Sequence, residues 1–246
     1  PIDPVLSPHR RQVVGNPFWS RCLIPRLYRC VFAHIPRTGG TSVEQWLGAY
    51  ASPGRGKQDH RTIRDLEPLA LRELPRHLWC GHPETGRREL CVRFLGQLIR
   101  HRQCLSRRQY RSYFRFSIVR DPWSRVVSWY GNLMRDAMIR QICGVPDGCP
   151  FPDFVRRHLD QWATSPQFHW LRDRRGDLPF DLLIRFSELA RGAREVGQRL
   201  GVPSALPHLG AGDERPYTAF YDHSTRDLVG SAYAEEIAHF GFLYGE

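Results

Sequence analysis

The chain has 246 residues, 41% of them hydrophobic and 25% charged, with a formal net charge of +11. That length suits one large α/β domain or two small ones, and the apolar share is that of a globular protein able to bury a core. No apolar run approaches the roughly 18–20 residues of a membrane span, and the Pro- and Arg-rich start lacks the apolar stretch of a signal peptide. Nearly all the positive charge is arginine, Lys57 being the only lysine. It is spread along the chain, whereas a DNA or RNA binder concentrates it on one face or run; a positive surface still attracts anionic ligands. The seven cysteines fall at irregular spacings without a C-x-x-C or a Cys/His zinc pattern. Cys143 and Cys149 bracket a Gly/Pro loop and are a candidate disulfide, against a default of free thiols.

Residues 1–28 read as an irregular lead-in to a single domain over 29–246. Cys30 to Ile35 is a short apolar run, enough for a buried strand, and Pro36 ends it. Gly39-Gly40 allows a tight turn, and Thr41 or Ser42 is a candidate N-cap for a helix whose apolar face is Val43, Trp46, Leu47 and Tyr50. A strand, glycine turn and helix of this kind gathers backbone N–H groups at one spot and suits an anion, most naturally phosphate. Arg37, Thr38, Thr41 and Ser42 add side-chain donors. The loop is not a Walker A sequence, which requires G-x-x-x-x-G-K-[ST]; the first glycine and the lysine are both missing.

Thr62 with Asp65 predicts a helix start. His77 to Cys80 is expected to be a second strand running into the Gly81-His82-Pro83 turn, and Leu90 to about Tyr110 a helical region. Phe114 to Val119 is expected to be the third strand, with Pro122 in the first turn of the next helix and Trp123, Val126, Val127 and Tyr130 on one face. Asp153 to Asp160 reads as helix. Asp181 to Phe186 reads as the fourth strand, with Ser187 capping a helix to Leu200. Ser224 to Asp227 looks like a capping box opening the last helix, with Leu228, Val229, Ala232, Tyr233 and Phe240 on its face. Strands alternating with helices imply a parallel sheet covered on both faces.

A second informative stretch runs from Ser117 to Tyr130. Arg120 follows the third strand, at the end where ligands gather in open α/β sheets, and Ser128 lies two turns into the following helix. Arginine offers a forked donor to an anion and serine a hydroxyl.

The two stretches together resemble the PAPS-dependent sulfotransferases, specifically the Golgi-type carbohydrate (heparan- and chondroitin-like) enzymes and their bacterial relatives. That family's 5′-phosphosulfate loop, h-x-P-K/R-T-G/A-G/S-T-S, is matched by Ile35-Pro36-Arg37-Thr38-Gly39-Gly40-Thr41-Ser42. Its 3′-phosphate motif, R-D-P-x-x-R-x-x-S-x-Y, is matched from Arg120 through Asp121, Pro122, Arg125 and Ser128 to Tyr130. Weaker likenesses follow at Ser165-Pro166-Gln167, at Ile184 to Leu189 and at Phe240-Gly241-Phe242. The resemblance implies a P-loop-like three-layer α/β fold. It also implies PAPS as co-substrate, PAP as product and no metal, with the phosphosulfate on residues 37–42 and the 3′-phosphate on Arg120 and Ser128.

Sulfuryl transfer needs in-line positioning and charge stabilisation on the leaving oxygen. Arg37 stands where many relatives have lysine; it donates no proton at neutral pH, so its expected role is electrostatic. The acceptor hydroxyl needs a base, and histidine suits that role near neutral pH. His82 is the first candidate, because the heparan 6-O-type enzymes are similar in placing a histidine in a Cys-Gly turn; Cys80-Gly81-His82 is one residue shorter. His60 is the second candidate, for base or acceptor contact. His34 reads as a buried structural histidine, and Glu44 is a competing base. Trp79, Trp129, Trp162 and Trp170 are expected in the core, with one or two stacking on adenine or a sugar ring.

The reading is a sulfotransferase acting on a carbohydrate or glycolipid hydroxyl, the acceptor being anionic in one version. The same chemistry on a small alcohol, a phenol or a peptide tyrosine is the alternative. A nucleotide kinase and a non-catalytic anion or nucleic-acid module are the remaining readings. The arginine-for-lysine bias suits a GC-rich bacterial genome and a cytoplasmic enzyme, with a Golgi-lumen catalytic domain as the alternative.

Overall fold

The computed structural model describes residues 28–48, 60–68, 105–202, 206 and 215–246. Within them three parallel strands lie side by side in sequence order: β1 (Cys30–Ala33), β2 (Phe114–Val119) and β3 (Leu182–Arg185). Phe32 stands beside Phe116, and Phe116 beside Leu182. The two outer strands are short, and β1 is buried at every position. That is the mark of a parallel strand covered on both faces. The expected second strand, His77 to Cys80, and His82 after it lie outside the described residues.

Successive side chains on a strand point to opposite faces. Cys30, Phe32, Phe116, Ile118 and Ile184 face one way and pack with Val43 of α1 (Gly40–Trp46), with Leu47 at its C-cap and with Val196 of α8 (Leu189–Leu200). Gly192 makes this packing close, since a Cβ there would lie 2.4 Å from the Ile184 side chain. On the other face, Val31 packs with Ile63 and Leu66 of α2 (Ile63–Leu66). Val119 on that face joins the largest cluster with Trp123, Val126 and Leu133 of α4 (Pro122–Arg135). Helices therefore cover both faces of the sheet in an α/β fold.

The remaining elements are α3 (Arg107–Ser112), α5 (Ala137–Ile142), α6 (Phe151–His158), α7 (Phe168–Leu171), α9 (His223–Ala232) and α10 (Ala234–Phe240). Thr62 and Asp65 form the expected capping box on α2. Only the end of the helical region expected from Leu90 is described; there Ser106 caps α3. Several caps differ from expectation. α1 is entered through Gly39 in the left-handed region at φ 82°, not through a Thr41 or Ser42 side chain. Ser187 lies in a 3₁₀ turn, Phe186–Glu188, ahead of α8. α9 is boxed by Asp222 and Thr225 rather than Ser224 and Asp227. Aspartate accepts the orphan N–H groups as well as serine does, so several polar residues in a row leave the cap ambiguous by one or two positions. Leu228 is exposed, whereas Val229 and Tyr233 are buried. Cys143 and Cys149 are free thiols.

Candidate functional site

β1 and β2 are adjacent and parallel, so the two motifs leave the same end of the sheet together. The loop after β1 carries Arg37, itself in the left-handed region at φ 67°. A non-glycine residue held there costs on the order of 1–3 kcal/mol and points to a functional site. The next strand delivers Arg120. Asp121 then caps α4 by accepting from the Ser124 N–H at 2.7 Å, with Pro122 at the first helical position.

The side chains cross between the motifs. Arg37 Nε donates to Ser128 Oγ at 3.1 Å, and its Nη1 donates to Asn132 Oδ1 at 3.1 Å. Ser128 and Asn132 are four residues apart, one turn along the same face of α4, so together they fit the arginine fork. Arg120 Nη1 donates to the Arg37 carbonyl at 3.1 Å and its Nε to Ser124 Oγ at 2.8 Å. Its guanidinium lies 4.2 Å from the centre of the Phe186 ring. The Gln167 amide grips the Arg120 backbone from both sides, accepting from its N–H and donating to its carbonyl, each at 2.9 Å. Arg125 is almost wholly buried. Its Nε donates to the Pro36 carbonyl at 3.2 Å and its Nη2 to those of Ala163 and Ser165 at 2.8 and 2.9 Å.

Three guanidiniums thus share a small volume. Burial first, then the Arg135 charge, lowers Arg37 to about 10. Burial does the same to Arg120, with Arg37 and Arg125 adding to the effect and Asp121 opposing it, again to about 10. Arg125 is also lowered, by burial, against the pull of Glu236. Among the described residues none of the three forms a salt bridge, and the Nη2 groups of Arg37 and Arg120 make no hydrogen bond. Buried cations are normally paired. Asp121 and Glu236 offset Arg120 and Arg125 in part, and the open Nη2 groups of Arg37 and Arg120 suit an anion with phosphate-type oxygens.

Other expected residues divide differently. The Thr38 hydroxyl donates to the Ile35 carbonyl at 2.9 Å and is fully buried, so it shapes the loop. His34 is 2% exposed and its Nδ1 meets Glu44 Oε1 at 2.6 Å, which makes both structural. Gly40 packs on that imidazole; a Cβ there would fall 2.0 Å from the ring. His60 Nδ1 lies 3.0 Å from the His34 carbonyl, and its ring is 4.2 Å from the His34 ring. A carbonyl only accepts, so His60 Nδ1 carries a proton toward it. The Trp162 ring meets His60 edge-on at 5.1 Å.

Sequence reasoning missed Asn132 and the linking role of Arg125. Gln167 and Phe186 sat inside stretches with a family likeness, but only the fold shows that they hold Arg120.

The whole arrangement is a candidate anion site at one end of the sheet in an α/β protein of the P-loop-like class. A family model described as the sulfotransferase family matches residues 21–227. The chain belongs to that family, and its general chemistry is sulfuryl transfer. No curated protein and no solved structure matches it.

Proposed function

We propose that the chain transfers the sulfuryl group of PAPS to a hydroxyl of a carbohydrate or glycolipid acceptor. The open guanidinium donors of Arg37 and Arg120, side by side at the ends of two adjacent strands, carry the donor half of this reading. Bound PAPS would supply the sulfuryl group and, as PAP, the leaving phosphate oxygen. Residues 37–42 and Arg120 with Ser128 would hold its two charged ends. Arg37 already bridges these groups, so its guanidinium is placed to follow charge between them. It stays protonated at neutral pH and acts electrostatically. The residues form no triphosphate cradle with a P-loop lysine, which sets the reading apart from a kinase.

For the acceptor proton the candidates remain His82 and His60. His60 is held by the His34 carbonyl next to the anion loop, which supports it as a candidate. An assay of ³⁵S transfer from labelled PAPS to desulfated heparin, chondroitin and 2-naphthol, with product masses, tests the reading. Label appearing in a glycan with one-to-one PAP release supports it. Transfer only to 2-naphthol favours the small-molecule alternative, and no transfer with intact Mg²⁺-dependent ATP turnover overturns it. His60→Ala and His82→Ala, compared over pH 5.5–8.5, identify the base. The true base is the one whose loss removes the rise in rate through the histidine range, near pH 6.5.

A further inference from the structure

Five tryptophans lie in the described residues. Trp123, Trp129 and Trp170 are buried and Trp46 is half-buried, but Trp162 is 54% exposed. A single exposed apolar residue is ordinarily unremarkable. This one is held rigidly. It opens the 3₁₀ turn Trp162–Thr164, closed by a capping box between Gln161 and Thr164. Trp129 Nε1 donates to Gln161 Oε1 at 2.9 Å, and Tyr233 donates to the Thr164 carbonyl. Arg125 fixes the carbonyls on either side, at Ala163 and Ser165, while its Nε holds Pro36 of the anion loop. The indole itself packs edge-on against Trp170 at 5.9 Å and against His60 at 5.1 Å. One buried arginine therefore fixes this turn relative to the donor loop, and the indole borders a candidate base.

We infer that Trp162 is an acceptor subsite, a platform for the apolar face of a hexopyranose ring held beside His60. This rests on the reading of the protein as a sulfotransferase acting on a hydroxyl. A preorganised aromatic surface binds without the cost of ordering a side chain. A sugar ring has apolar C–H faces and a polar rim, and the surroundings match: Asp160 and Pro166 are exposed, and Gln161 and Ser165 are half-buried. A flat aromatic or steroid acceptor needs an enclosed apolar pocket. Among the described residues the other exposed large apolar side chains, Met138, Ile142, Leu228 and Leu243, lie on α5, on α9 and after α10, not on this turn.

The test uses the full chain labelled with 5-fluorotryptophan, the Trp162 ¹⁹F signal being assigned from Trp162→Phe. Maltohexaose, desulfated heparin and chondroitin oligosaccharides are titrated in, and PAP affinity is measured separately on each variant. The inference expects the Trp162 signal to shift or broaden with at least one glycan. It also expects Trp162→Ala to weaken that glycan at least tenfold, Trp162→Phe to restore most of the loss, and PAP affinity to stay within twofold. A Trp162 signal unmoved by all three glycans overturns it. So does a Trp162→Ala loss that is equal for glycan and 2-naphthol as acceptors, which would mean that the indole only orients His60. Failure of the wild type to bind PAP is a different result: it removes the donor reading, while the ¹⁹F titration still decides whether the indole takes a sugar.

Discussion

Two polar clusters flank the loop after β1, and they are built on opposite rules. On one side His34 and Glu44 form a matched pair, 2.6 Å apart and both almost fully buried. On the other, Arg37, Arg120 and Arg125 are held by carbonyls, hydroxyls and ring faces, with no carboxylate bridge among the described residues. The first cluster pairs a histidine directly with a carboxylate and is buried in the fold. In the second, Asp121 and Glu236 offset Arg120 and Arg125 only from a distance, and the guanidiniums of Arg37 and Arg120 keep donors open to an anion. Burial alone does not mark a functional group; cationic donors left open in a part-buried site point to one.

The largest expected effect strikes the matched side. Gly40→Ala drives a methyl into the His34 ring. It should destabilise the protein by about 3 kcal/mol, read by thermal or urea unfolding. Next, Glu44→Gln should cost about 2 kcal/mol of stability by weakening a buried charged hydrogen bond. If the comparison holds, PAP affinity of the folded Glu44→Gln protein stays within twofold of wild type; a tenfold loss would move Glu44 into the site.

Smaller effects sharpen the arginine side. Arg37 and Arg120 are both lowered to about 10. For a base, the charged form persists below that value, so PAP affinity should be level from pH 7.5 to 9. It should fall as pH rises through 10 in a calorimetric titration, earlier than for a fully exposed arginine. Asn132→Ala removes one hydrogen bond to Arg37. Its expected cost is about 1 kcal/mol, near fivefold in PAP affinity.

How much of this was legible in the sequence depends on how local the signal is. Phe114 to Val119 reads as a strand, and Pro122 as a helix start, because alternation and ring geometry act within a few residues. Both motifs are readable for the same reason, each being one strand end and one turn. That Arg37 reaches Ser128, or that Gln167 clamps Arg120, depends on a register between strands 84 residues apart in the chain, such as Ala33 beside Ser117, and no local pattern encodes it. The cap of α1 was misread because Thr41 and Ser42 are good caps in isolation, whereas a left-handed Gly39 already turns the chain. His34 reads as a buried structural histidine from the sequence; that Glu44 is its partner shows only in their contact.

The central claim is that Arg37 and Arg120, delivered by adjacent strands, form a donor site. The most direct measurement is calorimetric titration of PAP, with ATP in parallel, into wild type and Arg120→Ala. The account predicts PAP binding well above ATP, and a loss of at least tenfold on the substitution, about 1.4 kcal/mol or more. Equal affinity for ATP and PAP, or PAP binding indifferent to Arg120, would contradict it.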